Sequence, residues 1–457
     1  AMLHTSGIPL RASERQDDAP VVVMGGMCAH INAEPVAPLL DAVLVGEAQA
    51  LIPTFVESLL QSRGRARAQR LRSIADIQGV YVPSLYTLTR DSRGRGTGFE
   101  VADGAPLPVR PATDPPHMAR SVVLSDGAHF ADMFLVELSR GCARGCRFCA
   151  AGSVLQPRRR YPAKDVLGAI QDAVGRADRE GVAARAGLVT AALLDHPDAR
   201  DILQGIARMG VELNISSIRA DGLSEETARL LVACGVRTAT LAPETGTEEL
   251  RRIIGKPLAD VDMFAAVTAL ARAGLRSLKL YFMVGLPWET AVDLEAIPTL
   301  ARRIRDVFMR EQTPRQSGDA EARVSVSVSP FVPKPRTPFQ WLPMAEERYL
   351  RAGMAGLRKA LYARPAIEFS GAGPREARRE GLLARGGREL ADAIIAVTTE
   401  GVSWRAAVRR AGVDEDAALG DERGREEVFP WEVVEVGPSK ASLLASLDTA
   451  LALPGTH

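Results

Sequence analysis

Three cysteines fall within eight residues in the stretch ELSRGCARGCRFCAAG, at Cys142, Cys146 and Cys149, a Cys-x3-Cys-x2-Cys spacing. Thiolates this close can chelate one metal centre, and Gly141, Gly145 and Gly152 let the loop wrap tightly around it. Soft sulfur ligands favour iron–sulfur clusters or zinc. A structural zinc site wants four protein ligands, and no fourth Cys or His follows at a suitable spacing; His117 and His129 lie upstream, across a strand, and reach the loop only by folding back. An electron-transfer cluster also expects four cysteines. Three ligands on a four-iron cluster leave one iron open to an exogenous ligand, which is a catalytic arrangement. The other two cysteines, Cys28 and Cys234, stand alone, and an odd total of five does not suit a disulfide framework.

The elements that must position this loop are strands and helices in alternation. Strand-like runs occur at MFLVELS (133–139), GLVTAAL (187–193), ELNISS (212–217), TATLAPE (238–244), SLKLYFMVGLP (277–287) and RVSVSVSPF (323–331). Between them lie helical periods such as PAKDVLGAIQDAVGRADREG and VDMFAAVTALARAG, each ending at or near a glycine. Six such units close about three quarters of an eightfold barrel, whose functional groups gather at the C-terminal strand ends. The cysteine loop follows the first strand.

Upstream, VVVMGG (21–26) and DAVLVGE (41–47) read as buried parallel strands, the latter half of a doubly wound sheet. The opening AMLHTSGIPL reads as the end of a helix, so the earlier half of that domain is expected to be missing from this chain. A hairpin and a Pro-rich linker follow. After Pro343 the pattern is mainly helical. The expected class is α/β: a half domain over 1–75, hairpin and linker over 76–128, a partial (βα)6 barrel over 129–343 and a small helical domain over 344–457.

Of 457 residues, 46% are hydrophobic and 25% charged, which excludes general disorder. Lys+Arg 57 against Asp+Glu 56 gives a net charge of +1, no footprint for non-specific nucleic-acid or membrane binding. No apolar run reaches the ~18 residues of a membrane span, and the N-terminus lacks the regions of a signal peptide. A cytoplasmic location is the expectation.

The cysteine spacing, with Phe148 before the last cysteine, resembles the signature of the radical S-adenosylmethionine (SAM) superfamily. The resemblance implies a [4Fe–4S] cluster on Cys142, Cys146 and Cys149, SAM on the open iron, reductive cleavage of SAM to a 5′-deoxyadenosyl radical, and a reducing partner such as a flavodoxin or ferredoxin. It also implies SAM contacts at the strand ends: Ser216, Ser217 and Arg219 after the third strand, Glu244 after the fourth, and Gly285 and Pro287 after the fifth. The family's glycine-glycine-glutamate after the second strand is absent. TAALLDHPD stands there instead, which would leave Asp195 or His196 to bind the SAM amine. LAPETGTEELRRIIGKP, MVGLPWET, SVSPFVPKPRTPFQW and PWEVVEVGPSKASLL resemble a bacterial subgroup with an N-terminal cobalamin-binding domain, so cobalamin is a further implied cofactor. The Asp-x-His-x-x-Gly string of histidine-on cobalamin domains does not occur; His30 sits in MCAHIN.

Plainer readings stand beside these. Cys28 reads as a small buried hydrophobe and Cys234 as helix core. His196 starts a helix or contacts SAM; Glu244 caps the following helix or serves the site. Arg158, Arg159 and Arg160 form a solvated face or a clamp for an anionic substrate. Lys279 and Tyr281 alternate on the fifth strand and bind substrate or satisfy each other. PKPRTPFQW (333–341) reads as a cover over the barrel mouth, and GRGTG (94–98) as a hairpin turn. Substrate and catalytic residues beyond radical generation stay open, with cobalamin-dependent methyl transfer and hydrogen abstraction both compatible. A non-catalytic iron–sulfur module, a methylthiotransferase-like enzyme acting on tRNA or protein, and a zinc-stabilised binding protein are the rivals.

Overall fold

Period-two alternation builds the larger of two units. A computed structural model of the protein describes residues 1–102, 104–113, 117–180, 185–314, 321–363 and 367–456. The chain divides into a unit of Met118–Phe331, Glu346–Pro374 and Asp448–His457, and a unit of Ala1–His117, Val332–Ala345 and Arg375–Leu447.

In the first of these, the barrel unit, strand one (Phe134–Glu137), strand two (Arg185–Val189) and strand three (Glu212–Ile215) form a parallel sheet with strand two in the middle. Strand four (Thr238–Glu244), strand five (Ser277–Val284), strand six (Arg323–Pro330) and strand seven (Ile367–Gly371) form a second parallel sheet in chain order. Backbone bonds join the two: the chain just past strand three donates from Ile218 N–H to Thr240 O at 2.9 Å. The six expected strands are all present, and strand seven extends the sheet beyond them. Its five residues are too few for a periodic signal.

Helices cover one face of these sheets. Ala199–Met209 buries Ile202, Leu203 and Ile206 and stops at Gly210 in the left-handed region. Ala291–Arg310 opens on a reciprocal cap between Thr290 and Asp293. On strands five and six, Leu278, Leu280, Phe282, Val284, Val324, Val326 and Val328 are all buried. Each such side chain contributes roughly 1.5–3 kcal/mol relative to exposure. The intervening residues Lys279, Ser325 and Ser327 are only partly buried and Tyr281 is exposed, so the second face is not packed as a filled barrel interior would be.

In the other unit, Val23–Met24 and Ala42–Leu44 pair in parallel, and Val80–Tyr81 joins the latter antiparallel. Leu51, Phe55, Ile74, Val80 and Val82 pack around this sheet. Tyr86–Arg90 and Gly96–Val101 form the expected hairpin, with Gly94 in its turn. The helices Leu390–Thr399, Trp404–Arg410 and Glu415–Gly420 belong to the same unit, so the late helices do not stand as a separate domain over 344–457. The buried link is polar: Tyr81 donates to Glu34 Oε1 at 2.5 Å, and Arg388 donates to Glu34 Oε2 at 2.9 Å and to the Tyr81 hydroxyl at 2.7 Å. Segment 333–341 is largely buried. Phe339 and Trp341 are fully buried, and the Arg336 guanidinium donates to the carbonyls of His30, Trp431 and Val436. Cys28 is exposed, against expectation, because the short helix Met27–Ile31 that carries it buries only Ala29. No helix among the described residues is long and apolar enough to cross a membrane.

Candidate functional site

The cysteine loop begins where strand one ends. Gly141 has φ 81°, and a Cβ there would meet Leu155 O at 2.1 Å; only glycine lets the chain pass. Gly145, at φ 64°, makes the second turn. Between them Arg144 reaches outward, donating to Asp195 and, at 3.0 Å, to Asp221. Arg147 reaches the other way. Its backbone N–H donates to Ile254 O at 2.9 Å and its guanidinium to Ile253 O at 2.6 Å, which docks the loop on the C-terminal end of the helix Glu248–Ile253 that follows strand four. Gly255 permits this approach, since a Cβ there would lie 2.7 Å from Gly145 O.

Cys142, Cys146 and Cys149 are free thiols of intermediate burial. Burial pushes the Cys146 thiol up to about 11, opposed by the cations Lys256 and Arg219, while Cys149 and Glu244 add negative charge nearby. Strand ends three and four are thus within electrostatic reach of the same sulfur. Among the described residues no three Cys, His, Asp or Glu side chains converge as ligands of a single ion. A four-iron cube binds each thiolate to a different iron, so it asks for separated sulfurs rather than a shared point. Three free thiols, neighbouring cations and a glycine-lined loop fit that group.

Glu244 sits at φ 69°, where the register of strand four shifts, and its carboxylate meets Lys256 Nζ at 2.7 Å with both side chains nearly buried. Such a strained, non-glycine position marks a site the surroundings hold in place. The following helix is capped by Thr247, so Glu244 is not its cap. Arg251, fully buried, secures the turn by donating to Thr245 O, Leu258 O and Asp260. Lys256 and Arg251, both in the run RRIIGKP, were not singled out from the sequence. A cation five residues after a helix-borne arginine has no distinctive spacing.

Asp195 is half-buried, and the Arg144 guanidinium holds its carboxyl below the usual range. Arg219 turns its fork onto Asp221 at 2.8 and 3.0 Å. Both expected SAM contacts are therefore engaged in one Asp195–Arg144–Asp221–Arg219 chain. His196 is buried with both ring nitrogens used: Nδ1 accepts from Asp198 N–H at 3.1 Å, leaving Nε2 to donate to Tyr161 O at 3.0 Å. It lies between the 3-10 turn Leu193–Asp195 and the helix Ala199–Met209, bonded to that helix's N-cap residue Asp198. Ser216 is exposed and Ser217 and Phe148 half-buried at the mouth.

After strand five, Gly285 (φ 77°) donates to Glu289 Oε1 at 2.7 Å, and the Tyr349 hydroxyl donates to the same oxygen at 2.8 Å. Oε2 of Glu289 is shut from solvent without a partner among the described residues. Burial pushes this carboxyl up to about 7. Glu289 fixes the turn that contains Pro287, and the sequence signal for it was its place in GLPWET. In the smaller unit, His30 accepts from Gly46 N–H at 3.1 Å and pairs with Gly26 O at 3.0 Å, a local role for both its nitrogens.

Residues 136–301 match the family model described as Radical SAM superfamily, and residues 1–83 match that described as Radical SAM proteins, N-terminal. The chain thus carries two radical SAM family domains, over residues 1–83 and 136–301. An uncharacterised protein of Methanocaldococcus jannaschii is 29% identical over 70% of this chain and 61% of its own length. One from Methanopyrus kandleri is 30% identical over 34% of this chain and 32% of its own. The chain thus spans under two thirds of either relative. Two solved structures are similar in trace. The radical SAM methyltransferase TsrM of Kitasatospora setae, with tryptophan substrate and a SAM analogue bound, has TM-score 0.44 and 16% identity, covering 68% of this chain and 55% of that one. The cobalamin-dependent SAM radical enzyme OxsB with aqua-cobalamin bound has TM-score 0.45 and 11% identity, covering 95% and 66%.

Proposed function

We propose that the chain is a radical SAM enzyme in which Cys142, Cys146 and Cys149 hold a [4Fe–4S] cluster and SAM occupies the remaining iron. The observation that carries this is the loop itself: three free, half-buried thiols pinned between strand one and the end of the helix that follows strand four. When bound, the cluster and SAM supply one-electron reductive cleavage to a 5′-deoxyadenosyl radical. The protein's own groups do the positioning. Arg147 and Gly255 fix the loop, Lys256 and Arg219 offset the charge of the thiolates, and the Glu289-braced turn offers backbone edges for the adenine. Ser217 and Glu244 offer polar atoms at the mouth for the methionine and ribose groups of SAM. A flavodoxin or ferredoxin is the class of partner that would deliver the electron.

The test is anaerobic reconstitution followed by SAM and dithionite. 5′-Deoxyadenosine forms with the wild type, and Cys146→Ala abolishes it. One zinc and no iron after reconstitution would overturn the reading.

A further inference from the structure

The face of strands four to seven that points away from the helices is polar. In register across it, Lys279 lies beside Ser325, and Tyr281 beside Ser327, with Glu368 and Ser370 on strand seven completing the two rows. A filled barrel places branched apolar side chains at such positions. Here the branched side chains all turn to the helices, and Tyr281 is 38% exposed. The lumen is open.

Lys279 Nζ stands 5.1 Å from the centroid of the Tyr281 ring. That cation–π contact occupies a ring face but satisfies neither the ammonium donors nor the phenol hydroxyl. Among the described residues no carboxylate pairs with Lys279, and the hydroxyls of Tyr281, Ser325 and Ser327 have no hydrogen-bond partner. An ammonium with no carboxylate partner, set beside hydroxyls on one sheet face, is the donor set that an acid group with hydroxyls calls for. Glu368 sits at the far end of the Lys279 row, on the edge strand and exposed. It would repel a second acid group placed there.

We infer that this lumen face binds a small hydroxylated molecule bearing one acid group, with Lys279 as counter-charge and Tyr281, Ser325 and Ser327 as hydrogen-bonding partners. This is the substrate side of the barrel, so it rests on the radical SAM reading above. The Arg158–Arg160 run is not needed for it.

Calorimetric titration of the whole chain with glycerate, glycerol 3-phosphate and neutral glycerol tests the inference without any cofactor. At least one of the two acids binds saturably, ten times or more tighter than glycerol, and which one does so separates a carboxylate site from a phosphate site. Lys279→Met weakens that binding at least tenfold, while Lys279→Arg keeps it within threefold. Neither acid outbinding glycerol, or a Lys279→Met protein that binds as the wild type does, would overturn it. 5′-Deoxyadenosine formation is read separately, so failure here is distinguishable from failure of the radical reading.

Discussion

Gly141 tolerates no side chain: its φ of 81° and the 2.1 Å approach to Leu155 O would each resist one. Gly141→Ala therefore costs about 1–3 kcal/mol locally, enough to splay the loop. Iron bound after reconstitution should fall below roughly a third of wild type, at unchanged far-ultraviolet dichroism. Glu289 makes a pH prediction. Its carboxyl is raised from about 4.5 to about 7, so the folded protein holds a proton that the unfolded chain releases. That stabilisation is complete below the unfolded value and is lost as pH rises through about 7. Between about pH 5 and pH 8 the wild-type melting temperature should fall by roughly 5 °C relative to Glu289→Gln, measured by thermal denaturation. At this scale the three cysteines were legible because spacing alone expresses their chemistry. The Arg144 chain to Asp195 and Asp221 was not, since its members lie 51 and 77 residues from Arg144 and only the fold brings them together.

Among the elements, the turn after strand four depends on one buried cation. Arg251→Met leaves the carbonyls of Thr245, Gly246 and Leu258 and the Asp260 carboxylate without their donor, a loss on the order of 3 kcal/mol by analogy with broken buried pairs. The denaturant midpoint should shift accordingly, and amide exchange should quicken over residues 245–260 first. Faster exchange spread evenly over the barrel would count against this local role. The six expected strands were legible because alternation in runs such as RVSVSVSPF is a period-two signal that helices cannot imitate. Strand seven was missed: IEFSG is short, and its neighbours are helical. The same alternation recorded the polar second face, since a strand buried on both faces would have shown no serines.

The whole molecule interleaves its two units along the chain, and periodicity gives no hint of that. A helical run announces an apolar stripe but not which core receives it, so the late helices read as an appendage. Glu34 holds the evidence to the contrary. It is 4% exposed and bonded to both Tyr81 and Arg388. Arg388→Met should cost about 3 kcal/mol and render the N-terminal sheet sensitive to limited proteolysis, with cleavage inside residues 1–117; an unchanged digestion pattern would contradict the pairing.

That pairing also imposes a schedule on synthesis. Arg388 leaves the ribosome 307 residues after Tyr81, a wait on the order of 15–60 seconds at ordinary elongation rates. Throughout it the nascent N-terminal sheet has an acid without its guanidinium and a flank without its helices. Strands one to seven all emerge within that interval. The seven barrel strands can pair while the N-terminal sheet still waits for the helices Leu390–Thr399, Trp404–Arg410 and Glu415–Gly420 that complete its unit.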